Sequence, residues 1–143
     1  NQRYAAQLRE AIMKSGMRGQ ITLAGQLSDQ ELRNLYARSD IFVMPSLFEG
    51  YGMALTEAIA RGLPIVCTTG GAISETAPDA AALKVPPGDA DALAAAIQDL
   101  IVDRDLRHRL SEEAWNASRN LPTWEACAEK VAGVLKTVAE ARR

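Results

Sequence analysis

The chain has 143 residues, 48% of them hydrophobic and 24% charged, with a net charge of −2. This composition supports one soluble globular core and excludes a disordered chain, and the basic residues are too dispersed to form a nucleic-acid stripe. Cys67 and Cys127 stand far apart with no C-x-x-C pattern, which excludes a zinc motif or a disulfide framework, and no apolar run is long enough to cross a bilayer. A cytoplasmic location is expected, with attachment to the cytoplasmic membrane face still compatible.

Tyr4, Leu8 and Ile12 give one apolar face to an opening helix that Gly16 and Gly19 end, and Gln20 to Ala24 reads as a short strand. Ser28 with Glu31 three residues on is a capping-box signature before "LRNLYARS", and Asp40 introduces the strand "IFVMP". Pro45 to Phe48 form a loop, Met53 to Ala60 a helix that Gly62 stops, and "PIVCT" a buried strand of the parallel type. "AALKV" is a shorter strand. Pro86, Pro87 and Gly88 then turn the chain, Asp89 caps "ADALAAAIQDLIVD", and helical patterns cover Leu106 to Ser118 and Thr123 to Ala141.

Strands alternating with helices predict an α/β, Rossmann-like, doubly wound parallel sheet of about four strands, with ligands at the carboxyl ends of the strands. Such a half usually opens with a strand and a glycine-bearing turn, whereas this chain opens on a helix. The reading is therefore one module, residues 1–143, whose first strand lies upstream. The edge left open is expected to associate with another copy or to be patched over.

The chemistry concentrates in "PSLFEGYGMALTEAIARGLPIV". Glu49 precedes a helix and Glu57 lies within it, while Gly50 and Gly52 permit positive φ and close backbone approach to a ligand just before the unpaired amides of a helix start. Two readings follow from spacing alone: an anion site flanked by two carboxylates, or a loop acid and an exposed helix acid with no shared role. Gly50-x-Gly52 opens like a dinucleotide fingerprint, but Leu55 occupies the third glycine position and no ribose acid follows at the required distance. An oxidoreductase is therefore disfavoured. No Walker-type phosphate loop is present.

The run "LYARSDIFVMPSLFEGYGMALTEAIARGLPIV", followed by "GGAISETAPDAAALKVPPGDADALAAAI" and Trp124, resembles the C-terminal donor-binding domain of retaining GT-B glycosyltransferases of the group 1, or family 4, type. The likeness rests on ordered motifs over roughly residues 20 to 130: a tyrosine-alanine helix, an acid-led strand ending in Pro-Ser, E-x7-E and a Gly-x-Pro-Val-like strand. It implies retaining transfer of a sugar from a nucleoside diphosphate sugar to a hydroxyl acceptor, with no protein nucleophile, metal or resident cofactor. By that resemblance Glu49 is the catalytic-site acid at the transferred sugar and Glu57 accepts the ribose hydroxyls. Gly50 and the amides from Tyr51 through Gly52 and Met53 to Ala54 meet the sugar and distal phosphate, and backbone groups around Gln26 and Leu27 edge the base.

The family's acceptor domain and its diphosphate-gripping basic residues would lie upstream, so Lys14, Arg18 and Arg33 are not cast in that role and the chain alone is expected to be inactive. The alternative from another class is a non-catalytic Rossmann-like binding or regulatory module. Among the remaining residues, His108 is expected on a solvated face, and Cys67 and Cys127 as small packed side chains. Trp115 and Trp124 are expected in helix packing, and Glu75 capping a short turn.

Overall fold

A computed structural model describes residues 2–17 and 19–141. Arg18 lies outside them. The chain divides into two compact units, Asn1–Leu35 and Tyr36–Arg143.

The first unit contains helix α1 (Gln2–Lys14) and the start of α2 (Asp29–Ala37). Helix α1 stops where Gly16 takes a φ of 73°. The capping box forms as its sequence demands: the Ser28 amide donates to Glu31 Oε2 at 2.8 Å, and the Glu31 amide donates to Ser28 Oγ at 3.4 Å. These bonds, the Ser28 hydroxyl's first, hold the Glu31 carboxyl below its ordinary range. The expected strand at Gln20 to Ala24 is absent; the segment is irregular, and Ile21 and Leu23 are exposed.

The second unit holds a three-stranded parallel sheet, β1 (Phe42–Met44), β2 (Ile65–Thr68) and β3 (Ala82–Val85), in the order β1-β2-β3. Met44 pairs with Cys67, and Thr68 with Val85. The sheet thus has three strands among the described residues, where about four were expected. The reason lies in doubly wound topology. In the strand order 3-2-1-4-5-6 the fourth, fifth and sixth strands lie side by side in chain order, as β1, β2 and β3 do. A strand preceding β1 in the chain would be the third, separated from β1 by the first two. Neither of those occurs among the described residues, so Gln20–Ala24 has no ladder to join.

Both faces of the sheet are covered. Ile65 and Cys67 face one side, where they pack with Leu55 and Ile59 of α3 (Met53–Ile59) and Ile73 of the short α4 (Ile73–Thr76). Val66 and Val85 face the other, against Ala96 and Leu100 of α5 (Ala90–Val102) and Leu110 of α6 (Arg104–Ser118). Each fully buried aliphatic side chain of this kind contributes about 1.5–3 kcal/mol. Burial on both faces explains why β2 reads as an unbroken apolar run rather than an alternating one.

The helix boundaries follow local chemistry. Asp89 accepts from the Ala92 amide at 2.9 Å and Asp103 from the Leu106 amide at 2.8 Å, capping α5 and α6. Gly62 ends the α3 turn with a φ of 67°, which lets the Leu63 amide return to the Ala58 carbonyl. A Cβ at Gly62 would lie 3.4 Å from Trp115 Cβ, and Ser111 Oγ donates to the Gly62 carbonyl at 2.7 Å, so this turn also docks α6. The last helix, α7 (Trp124–Ala141), contributes no buried side chain.

Three packing expectations are corrected. Trp124 is 83% exposed; it opens α7, which packs no face into either core cluster. Cys127, one turn on, is exposed for the same reason. Glu75 lies exposed on α4, whose N-cap Ala72 receives no side-chain cap bond. Trp115 lies where a Cβ on Gly62 would meet it, yet stays half exposed. Cys67 is buried as expected, and burial pushes its thiol up to about 11, against a smaller opposing pull from Lys84. His108 is exposed, with Nδ1 3.6 Å from Glu112 Oε1.

Candidate functional site

The loop from β1 to α3 leaves the sheet at its carboxyl end, and it is held there from the neighbouring strand. Thr68, the last residue of β2, donates its hydroxyl to the Ser46 carbonyl. Beyond it, Glu49 and Gly71 form an isolated parallel bridge: the Glu49 amide donates to Gly70 O at 3.3 Å and the Ala72 amide to Glu49 O at 2.9 Å. Thr76 of α4 donates to the Tyr51 carbonyl at 2.9 Å. The loop therefore extends the sheet by one bridge and is clamped at Ser46, Glu49 and Tyr51.

That close approach requires glycine opposite the loop. A Cβ at Gly70 would sit 2.2 Å from Leu47 O, and one at Gly71 would sit 2.4 Å from Glu49 O. The Gly-Gly pair was visible in the sequence as part of the resemblance, but its task of letting two loops touch was not. Ser46 and Thr68 were likewise missed. No local pattern marks Thr68, whose partner is a loop on another strand, while Ser46 stands three residues before Glu49 and that spacing was the available signal.

The half-buried Glu49 carboxylate accepts a 3.0 Å bond from Ser46 Oγ. Gly52 is the N-cap of α3, with φ 85° and ψ 55° in the left-handed region, which explains its glycine. Its carbonyl accepts from the Leu55 and Thr56 amides, at 2.9 and 3.1 Å, so the Met53 and Ala54 amides precede the first intrahelical bond. Tyr51 and Met53 are exposed, as is Gly50.

Glu57 stands further along α3, half buried beside Tyr36 and Arg61. The Tyr36 hydroxyl donates to the Ala54 carbonyl at 3.3 Å, and the Arg61 guanidinium stacks 4.4 Å above the Tyr36 ring. Burial raises the Tyr36 phenol, the charge of Glu57 and a hydrogen bond shared with its carboxylate raise it further, and Arg61 opposes them. Arg61 also donates to the Glu57 carbonyl at 2.7 Å. Sequence reading singled out neither Tyr36 nor Arg61 for this task; the i, i+4 spacing of Glu57 and Arg61 was the available signal.

Glu49, Gly50, Tyr51, Gly52, Met53, Ala54 and Glu57 all belong to the second unit, on the one loop and helix that follow β1. Gln26 and Leu27 belong to the first unit, in the segment leading into α2.

Residues 1–117 match the family of glycosyl transferases group 1. The O-antigen chain mannosyltransferase B of Escherichia coli is 31% identical over 126 residues, covering 87% of this chain and 32% of that protein. Among solved structures, the sucrose-phosphate synthase of Thermosynechococcus elongatus superposes with a TM-score of 0.85 at 28% identity, over 95% of this chain and 34% of that one. HepE of Anabaena, solved with UDP-glucose, gives 0.87 at 22% identity over 96% of this chain and 38% of its own, a likeness of fold. The chain thus spans about a third of the length of these relatives. With its α/β architecture and these relatives, the chain belongs to the group 1 glycosyltransferases of the GT-B fold.

Proposed function

We propose that this chain forms the donor-binding part of a retaining glycosyltransferase, taking a sugar from a nucleoside diphosphate sugar to a hydroxyl acceptor. The observation that carries this reading is the clamped loop: Glu49 is held beside a left-handed Gly52 and a helix start at the carboxyl end of the sheet, with Glu57 on the helix that follows. Carboxylates accept from vicinal hydroxyls, and uncommitted helix amides favour phosphate oxygens. In this assignment Glu49 meets the transferred sugar and Glu57 the ribose. The backbone from Gly50 to Ala54 meets the sugar and distal phosphate, and Gln26 and Leu27 edge the base.

Holding the loop rigid matters for chemistry of this kind, because an acceptor poised before positive charge develops on the sugar needs no reorganisation during the reaction. The leaving diphosphate assists attack, and no side chain of this chain is assigned as nucleophile. Acceptor groups and the cations that grip the diphosphate are assigned to sequence upstream of this domain, so turnover requires the whole polypeptide. Among the described residues no helix is long and apolar enough to cross a membrane, and we assign the activity to the cytoplasm or its membrane face.

Titrating the whole polypeptide with a panel of nucleoside diphosphate sugars tests the reading. Saturable binding of at least one donor, with competition by the matching nucleoside diphosphate, is expected. Binding of none would favour a non-catalytic module.

A further inference from the structure

The opposite end of the sheet carries a concave surface. The segments before β1 and β2 face the first half of α6 across an open cleft of about 470 Å³. That volume falls within the range of small-molecule sites. Three arginines, Arg61, Arg104 and Arg107, line it with His108, and Asp40 is the one acid among the lining residues. With His108 neutral the lining carries +2, on a chain whose net charge is −2.

Two of the guanidiniums are held in place. Arg61 is fixed by the Glu57 carbonyl and the Tyr36 ring, and Arg107 Nη1 donates to the Leu100 and Ile101 carbonyls at the end of α5. A guanidinium has five N–H donors, so each keeps most of its fork uncommitted. Arg104 is exposed and makes no ion pair among the described residues. Helix stability gives no reason for Arg104, because the first turn of a helix disfavours cations and Asp103 already caps α6.

We propose that this cleft binds the phosphate group of a small phosphorylated molecule, with Arg61, Arg104 and Arg107 as its donors. A phosphomonoester carries about −1.5 to −2 charges at neutral pH, which matches the charge of the lining, and its oxygens suit arginine forks. The cleft lies at the amino ends of the strands, whereas Glu49 and Gly52 follow the carboxyl end of β1. Arg61 also braces Glu57, so the test rests on Arg104, which has no contact with either glutamate among the described residues.

Titration of the chain with inorganic phosphate at constant ionic strength, followed by backbone amide shifts, tests it. Saturable shifts are expected at Gly62 and Ser111. Arg104→Ala should raise the Kd about tenfold or more, since a bond to a charged group is being removed. Lys130→Ala, which removes an exposed charge on α7, should leave the Kd unchanged. Shifts that do not saturate, a wild-type Kd in Arg104→Ala, or an equal loss in both variants would overturn the proposal.

Discussion

Substituting Gly70 by alanine probes the clamp on the loop directly. The new Cβ would lie 2.2 Å from Leu47 O and 2.7 Å from Leu47 C, where ordinary contact begins at 3.4 Å. The obstacle is backbone on both sides, so the Leu47–Glu49 segment must retreat by about an ångström rather than a side chain rotating away. The bonds at risk are the Glu49 amide to Gly70 O, the Ala72 amide to Glu49 O, and the Thr68 hydroxyl to Ser46 O. At about 1 kcal/mol each, their loss puts the destabilisation at roughly 2–3 kcal/mol. Urea denaturation reads the total, and hydrogen exchange at the Glu49 and Ala72 amides reads its location. Gly133→Ala is the control, since α7 has open space there and the change should stabilise by up to about 1 kcal/mol. A Gly70→Ala chain with the wild-type midpoint and unchanged protection of both amides would refute the account of the loop.

In the whole polypeptide, Glu57→Gln should weaken nucleotide and nucleotide sugar alike, by roughly tenfold to a hundredfold if one charged hydrogen bond is lost. Glu49→Gln should leave bare nucleotide affinity nearly unchanged while transfer falls about 10²-fold; parallel effects of the two changes in a nucleotide titration would remove the division of roles. The capping box makes a pH prediction. Because the Ser28 bonds lower the folded Glu31 value, their contribution is complete above the ordinary 4.5 and is lost as pH falls through the folded value. The Glu31 side-chain carboxyl should accordingly titrate in NMR with a midpoint below 4.5, and a midpoint at or above it would contradict the cap.

What was legible in the sequence was whatever a short stretch of chain settles for itself. Ser28 and Glu31 satisfy each other across three residues, Asp89 reaches an amide three residues on, and Gly62 supplies its own left-handed turn. Local patterns of this kind also placed Glu49 before a helix and Glu57 in it. The continuous apolar run of β2 announced a strand buried on both faces.

Gln20–Ala24 shows where that reasoning stops. Its residues have strand character, but a strand is stabilised by a neighbour, and none pairs with it among the described residues. Trp124 and Cys127 were expected to pack because of residue type, yet burial depends on what lies opposite α7.

Sequence by itself determined the helix boundaries of α2, α3 and α5 to within a residue or two, the alternation of strand and helix from β1 onward, and the order of the residues around Gly52. Helix α6, by contrast, begins at Arg104 rather than at the expected Leu106. The tertiary structure alone decided that Gly70 and Gly71 press against Leu47 and Glu49, that Tyr36 and Arg61 brace Glu57, and that three arginines share a cleft. The difference is physical. A cap or turn closes its hydrogen bonds within a few residues, so local residue types encode it, whereas each of these contacts joins segments that only the packing of the sheet brings together.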